Sequence, residues 1–432
     1  MTTKSKSISG VKWTTISTFV IVILAMLKFS ILARFLDKSD FGLMALVKVV
    51  LGFMGLFMDM GLTSAILHKQ NISKYEYASL YWLNFAFNFV LYLIIVVAAP
   101  LVSSFYNEVE LKNILYIMGL SLIFSALGRQ FKTIEQKNLN FKLISIIDIL
   151  TQILAFIFAI YLVLNGFGIY TLVYSALFQF FSSNLLFFIL GIKRYGLKMF
   201  FKFDDTKPFL KIGVYQVGGQ AINYFGKNFD TLIIGKILGS EILGGYDLAK
   251  QLVSKPIGLL NPILTKVATP SFSLIQNNKK LLKEKYLYFI KMGSSLSFLF
   301  YSFIIIFASV IVKILYGEEF QDITNLVRVL AIFYYLRSVF NYTGSLITAL
   351  GRTDLDFYWN FVFLFFILLF VLIGSYYGIY GVAWSLVFAM LLSIYPYWRF
   401  LINKMIIMDF LEYLKEIIPS VSKLFYGLKK LK

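Results

Sequence analysis

Leu80-Tyr-Trp-Leu-Asn-Phe-Ala-Phe-Asn-Phe-Val-Leu-Tyr-Leu-Ile-Ile-Val-Val-Ala-Ala-Pro-Leu-Val102 contains no charged residue. A stretch of this length crosses about 30 Å of hydrocarbon as a helix. It must be helical, because backbone groups in lipid have to bond within their own segment. Comparable stretches recur along the chain. The first six run Trp13–Ala33, Phe41–Leu67, Leu80–Val102, Leu111–Phe131, Leu143–Leu164 and Ile169–Leu190. The second six run Phe209–Leu238, Gly244–Val267, Phe289–Leu315, Ile323–Leu350, Phe357–Tyr377 and Ile379–Ile402. The alternating segments of a membrane barrel are absent. Composition agrees: 59% of the 432 residues are hydrophobic and 15% charged, with mean hydropathy +0.78. A soluble domain is nearer 45–50% apolar and about 25% charged.

The expected fold is therefore an all-α integral membrane protein of twelve transmembrane helices. Residues 1–191 form an N-terminal six-helix bundle and 192–208 a basic cytoplasmic linker. Residues 209–403 form a second bundle and 404–432 a basic amphipathic tail. In the tail, Leu414, Ile417, Val421, Leu424, Leu428 and Leu431 recur at helical spacing among lysines, the pattern of a helix lying on an anionic membrane surface. The first span is too long for a cleaved signal and lacks a small-residue cleavage site.

Charge sets the orientation. Of 41 basic residues, the great majority fall on the side of the N-terminus when twelve spans are threaded. The opposite side receives Arg34, Lys38, Lys112, Lys236 and Lys313, with acids such as Glu108, Glu241, Glu318 and Asp322. The positive-inside rule places both termini in the cytoplasm.

The two halves repeat. Ile31-Leu-Ala-Arg-Phe-Leu36 aligns without gaps to Ile233-Ile-Gly-Lys-Ile-Leu238, and the same register pairs Phe41-Gly42 with Leu243-Gly244 and Lys48 with Lys250. Gly168-Ile-Tyr170 matches Gly378-Ile-Tyr380, and Ala126-Leu-Gly-Arg129 matches Ala349-Leu-Gly-Arg352. Six spans per half give the halves one orientation and a pseudo-twofold along the membrane normal, a plan that puts a substrate cavity between two bundles.

Polar residues inside spans are costly and mark function or helix gluing. Gln216, Gln220, Asn223, Lys227 and Asp230 fall within about 80° of arc at helical periodicity. Asp247 and Lys250, with Lys255 beside them, form a second polar face, and Arg337 and Asn341 a third. Lys28 and Lys48 lie in spans one and two. The excess of cations points to an anionic substrate, and Lys offers a compact charge suited to phosphate. Asp59 and Asp148 have no basic neighbour in sequence within their spans and are the candidates for ion coupling.

Several chemistries are excluded. The chain has no cysteine and one histidine, His68, so thiolate or histidine metal sites and catalytic triads are out. Gly351-Arg-Thr353 makes no phosphate-cradling loop. No catalytic residue, metal or cofactor is expected, and no nucleic-acid partner.

Ile31-Leu-Ala-Arg-Phe-Leu-Asp-Lys-Ser-Asp-Phe-Gly-Leu-Met-Ala-Leu46, Asp59-Met-Gly-Leu62, the stretch Gly235–Ala249 and Leu315-Tyr-Gly-Glu-Glu-Phe320 resemble the Wzx-type polysaccharide-unit flippases. These belong to the multidrug/oligosaccharidyl-lipid/polysaccharide (MOP) exporter superfamily. The resemblance implies a V-shaped pair of bundles in the bacterial cytoplasmic membrane, working by alternating access. It implies an undecaprenyl-diphosphate-linked oligosaccharide turned to the outer leaflet for O-antigen, capsule or exopolysaccharide synthesis. Lys28, Lys48, Lys227 and Lys250 match the cavity cations of such proteins, with Lys255 and Arg337 as further candidates. Membrane lipids, a polymerase and glycosyltransferases are the partners implied. The alternative within the superfamily is a cation-coupled multidrug exporter, for which a basic cavity is unfavourable.

Overall fold

The computed structural model describes residues 3–59, 62–69 and 72–420, all helix or connection, with no strand among them. The helices are α1 (Thr3–Leu32), α2 (Lys38–Met58), α3 (Leu62–His68), α4 (Lys74–Tyr106), α5 (Val109–Lys137), α6 (Phe141–Leu164) and α7 (Tyr170–Tyr195). They continue as α8 (Lys207–Ile237), α9 (Gly239–Ser273), α10 (Lys279–Tyr316), α11 (Thr324–Leu350), α12 (Thr353–Ser375) and α13 (Gly378–Tyr397), then the short α14 (Asn403–Met405) and α15 (Phe410–Ile417). The chain divides into two compact units, 1–224 with 239–241, and 225–238 with 242–432.

Ten helices among the described residues are long and apolar enough to cross a membrane: α1, α2, α4 to α7 and α10 to α13. The chain is a multi-pass membrane protein. Helices α8 and α9 are also long, at 31 and 35 residues, but they carry the two polar faces and stay outside this set. Large apolar side chains stand exposed along the others: Val97 and Leu101 on α4, Phe303 and Ile306 on α10, Val362 and Phe365 on α12. In water such patches would aggregate; here they are the surface that lipid solvates.

Local chemistry sets the helix ends. Ser73 and Glu76 form a reciprocal capping box that starts α4: the Glu76 amide donates to Ser73 Oγ at 3.2 Å, and the Ser73 amide to Glu76 Oε2 at 2.7 Å. Asn107 takes the left-handed conformation that closes it. The apolar stretch Phe41–Leu67 is not one helix. α2 stops at Met58, and the Asp59 carboxylate accepts from the Thr63 amide at 3.2 Å and from its hydroxyl at 2.5 Å, capping α3. Asn84 donates to the freed Met58 carbonyl at 2.8 Å and Asn88 to the same oxygen at 3.1 Å.

In the first unit, α5 lies against α7. A Cβ on Gly128 would come within 2.3 Å of the Asn184 carbonyl oxygen, and one on Gly191 within 2.1 Å of the Phe131 ring. The two glycines let the helices approach. The second unit's core gathers Phe272, Tyr286, Tyr342 and Tyr413.

The tail departs from expectation. Instead of one amphipathic helix through Leu431, α15 ends at Ile417, since Ile418 precedes Pro419 and is extended. α15 docks on α10. Lys283 pairs with Glu412 at 2.5 Å, Lys291 donates to the Lys415 carbonyl at 2.9 Å, Ser294 donates to the Ile417 carbonyl, and Tyr413 is fully buried. Residues 421–432, with the other apolar positions of that pattern, lie outside the described residues.

Candidate functional site

The second unit places a neutralised pair at the end of α8. Lys250 of α9 donates to both Asp230 oxygens, at 2.8 and 2.7 Å, to Thr231 Oγ1 at 3.2 Å and to the Lys227 carbonyl at 3.1 Å. Tyr246, one turn before Lys250, donates to Asp230 at 2.5 Å, and the Thr231 amide donates to the same carboxylate at 2.8 Å. The carboxylate is thereby fully served. Lys250, read from the repeat as an open cation, is balanced by Asp230.

The open charges of this unit lie elsewhere. Lys227 and Arg337 are close enough to repel one another, and neither has a carboxylate partner among the described residues. Arg337 lies 5.8 Å from the Phe333 ring. One turn on, the Asn341 side-chain amide is buried with no acceptor. An orphaned donor beside two like charges leaves a place for acceptor oxygens. Gln220 and Asn223 are exposed on α8, and Asp247 accepts from Gln251 at 2.6 Å. Lys255 is half-buried on α9, and the side chain of Gln216 lies outside the described residues.

The first unit carries a different charge at the matching sequence position. The register that pairs Lys48 with Lys250 pairs Lys28 with Asp230. Lys28 is 8% exposed; its ammonium donates to Ser175 Oγ at 3.3 Å, and the Lys48 charge repels it. Lys28 has no carboxylate partner among the described residues. Lys48 is exposed, 5.3 Å from the Phe29 ring. Where the second half has Asp230, the first therefore has Lys28.

Asp59 and Asp148 come together on the wall of one cavity of about 600 Å³ in the first unit. Both have basic partners that come from α5 rather than from their own helices. Lys132 donates to both Asp148 oxygens at 2.9 Å, and Arg129 lies 3.9 Å from Asp59. Arg129 and Lys132 fall at the edge of the fourth span, outside the polar faces read from the sequence. The signal was the continuation of α5 to Lys137, which keeps both inside the helix and three residues apart.

The family described as "Polysaccharide biosynthesis protein" matches residues 31–325. The chain is 29% identical over 352 residues to the teichuronic acid biosynthesis protein TuaB of Bacillus subtilis (strain 168), covering 82% of this chain and 73% of that one. It is 30% identical over 374 residues to the amylovoran biosynthesis protein AmsL of Erwinia amylovora, covering 85% and 95%. Among solved structures it superposes on the lipid II flippase MurJ in an inward closed conformation, with TM-score 0.75, 15% identity and coverage of 96% and 92%. An inward-facing multidrug resistance MATE family transporter of the MOP superfamily matches with TM-score 0.67, 16% identity and coverage of 93% and 95%. At these identities the structural likeness is one of fold alone, the fold shared with these two proteins.

Proposed function

The chain belongs to the polysaccharide biosynthesis protein family, and we propose that this member flips an undecaprenyl-diphosphate-linked oligosaccharide from the cytoplasmic to the outer leaflet by alternating access. The observation that carries the reading is the charge exchange between the halves. Where the second unit has Asp230 to balance Lys250, the first has Lys28 beside Lys48. The buried Lys28 ammonium, with a second cation near it and no carboxylate partner of its own among the described residues, favours an anion, and a diphosphate supplies it. Lys227, Arg337 and the orphaned Asn341 amide offer donors to a second set of acceptor oxygens. With no nucleotide-binding loop, the driving force is a gradient, the membrane potential or consumption of the flipped product. A cationic drug would be repelled by these groups.

The proposed topology has twelve spans, α8 and α9 included, with both termini cytoplasmic and two six-helix bundles joined near residues 192–208. Reporter fusions at Asn107, Gly166 and Gly317 then read outside and one at Asn278 inside; a reversal at any of these overturns the topology. The function is tested by complementation. Lys28→Gln and Lys48→Gln, expressed at the level of the parent, each lower surface-polymer export, and the double change abolishes it. Full export by the double variant sinks the diphosphate role.

A further inference from the structure

The first unit has a second cavity, of about 410 Å³, away from the groups above. It lies where the start of α4, the end of α5 and the end of α7 meet. Its walls are split in character: Ile72, Phe131 and Leu197 are apolar, and Lys74, Arg194 and Lys198 bring three cations.

The pocket is built rather than a gap in a loose connection. Gly196 ends α7 with φ +71°, in the left-handed region, and turns the chain back across the start of α4. Trp82 Nε1 donates to the Lys198 carbonyl at 3.0 Å, and the Lys202 amide donates to Ser79 Oγ at 3.0 Å, pinning the returning strand of chain. Arg194 is fixed by the buried Glu135 at 2.8 Å, which also accepts from Tyr195 at 3.0 Å and from Asn140 at 2.8 Å. The Lys198 ammonium sits 3.8 Å from the Tyr75 ring centre. Lys74 and Lys198 have no carboxylate partner among the described residues, and the nearby Glu76 is taken by Lys69 at 2.5 Å. Among the described residues, the carboxylate paired with one of these three cations is Glu135, on Arg194.

We propose that this pocket binds the headgroup of an anionic phospholipid, with the phosphate between Lys74 and Lys198 and the upper acyl chain against Phe131, Ile72 and Leu197. Depth supports a lipid. Tyr195 lines the pocket, and Tyr75 and Trp82 touch Lys198 of its wall; such aromatics sit at the headgroup level of a bilayer. Volume supports a headgroup, since the cavity has the size of a small-molecule site. Under the orientation proposed above, the pocket opens to the cytoplasmic leaflet, where anionic lipids concentrate. The inference uses that orientation and not the flippase substrate.

The test is native mass spectrometry and binding titration of the full chain with phosphatidylglycerol and phosphatidylethanolamine at equal mole fraction. Phosphatidylglycerol should be retained in preference. Each juxtamembrane cation contributes about 1 kcal/mol, so Lys74→Gln/Lys198→Gln should weaken phosphatidylglycerol binding about 30-fold at 1.4 kcal/mol per decade. Lys74 is exposed, so Lys74→Gln alone, expected to weaken binding about 5-fold, keeps the test if the double variant does not fold. Lys279→Gln/Lys280→Gln removes the same charge elsewhere and should leave binding unchanged. The proposal is overturned by unchanged binding in the pocket variants, by an equal loss in the control pair, or by displacement with millimolar inorganic phosphate, which would mark a free-anion site. Displacement by undecaprenyl phosphate at equal mole fraction also overturns it, by making the pocket part of the substrate path. The flippase reading survives any of these results, because it rests on Lys28 and Lys48.

Discussion

Lys48 and Lys250 hold one register in the two halves and meet opposite surroundings. Lys250 is half-buried and carries the Asp230 carboxylate at 2.7 Å; Lys48 is exposed, and its counterpart of Asp230 is Lys28. The aligned register keeps a lysine at 48 and 250 while the charge at 28 and 230 is inverted. A carboxylate at position 230 ties α8 to α9 through Lys250, and an ammonium at the matching position 28 is buried with no carboxylate partner among the described residues. Charge at equivalent positions has to be read as a pair.

The largest expected effect comes from breaking the closed pair. Asp230→Asn leaves the Lys250 ammonium in a buried setting without its counter-charge, a change that costs about 3–5 kcal/mol in such sites. Thermal melting in detergent should show a marked loss of stability, and Asp230→Asn/Lys250→Met should recover most of it. A melting point unchanged in Asp230→Asn would show that the pair is not structural, and that Lys250 rejoins the open cations.

Changing Lys28 should act on transport more than on stability. Lys28→Asp copies the residue of the second half into the first and replaces the buried ammonium with a carboxylate. A charge-assisted contact is worth about 1.5–3 kcal/mol, or about 10- to 150-fold in affinity. Export should therefore fall steeply at normal expression, and adding Lys48→Asp should not restore it. If Lys28→Asp exports normally, the inverted charge is not where the anion sits.

Much of this was legible in the sequence, for physical reasons that differ by feature. Membrane crossing follows from apolar length alone, so α4, α6 and α12 fall close to their expected positions. The break after Met58 was not legible, because Leu62, Ile66 and Leu67 continue the apolar run and the interruption lies in how Asp59 turns to cap α3. The partners of Asp59 and Asp148 were hidden for a similar reason. Arg129 and Lys132 come from another helix, and a single sequence carries no record of which helices touch. Lys250 was identified as a buried polar group from spacing, and Asp230 lay on the neighbouring polar stripe, but their pairing required the geometry. The docking of α15 depends on Tyr413 entering a core built by α10 and α11, which helical periodicity in the tail does not encode.

The smallest expected effect concerns the ion pair of Lys132 and Asp148 in the first unit. Lys132 and Asp148 are 2.9 Å apart, with their side chains 33% and 25% exposed, so solvent screens them far more than Asp230 and Lys250. Partly exposed pairs contribute about 1 kcal/mol or less, and Asp148→Asn should lower the melting point only slightly. Its effect on transport separates two roles. If Asp148 only ties α6 to α5, Asp148→Asn and Lys132→Gln should behave alike and leave gradient dependence intact. If the carboxylate is a coupling group on the wall of the 600 Å³ cavity, Asp148→Asn should abolish dependence on the driving ion while Lys132→Gln keeps it. The same comparison at Asp59 uses Asp59→Asn against Arg129→Gln, with the added expectation that loss of the cap frays α3. Unchanged gradient dependence in Asp59→Asn/Asp148→Asn would remove both carboxylates from coupling and leave them as structural partners of α5.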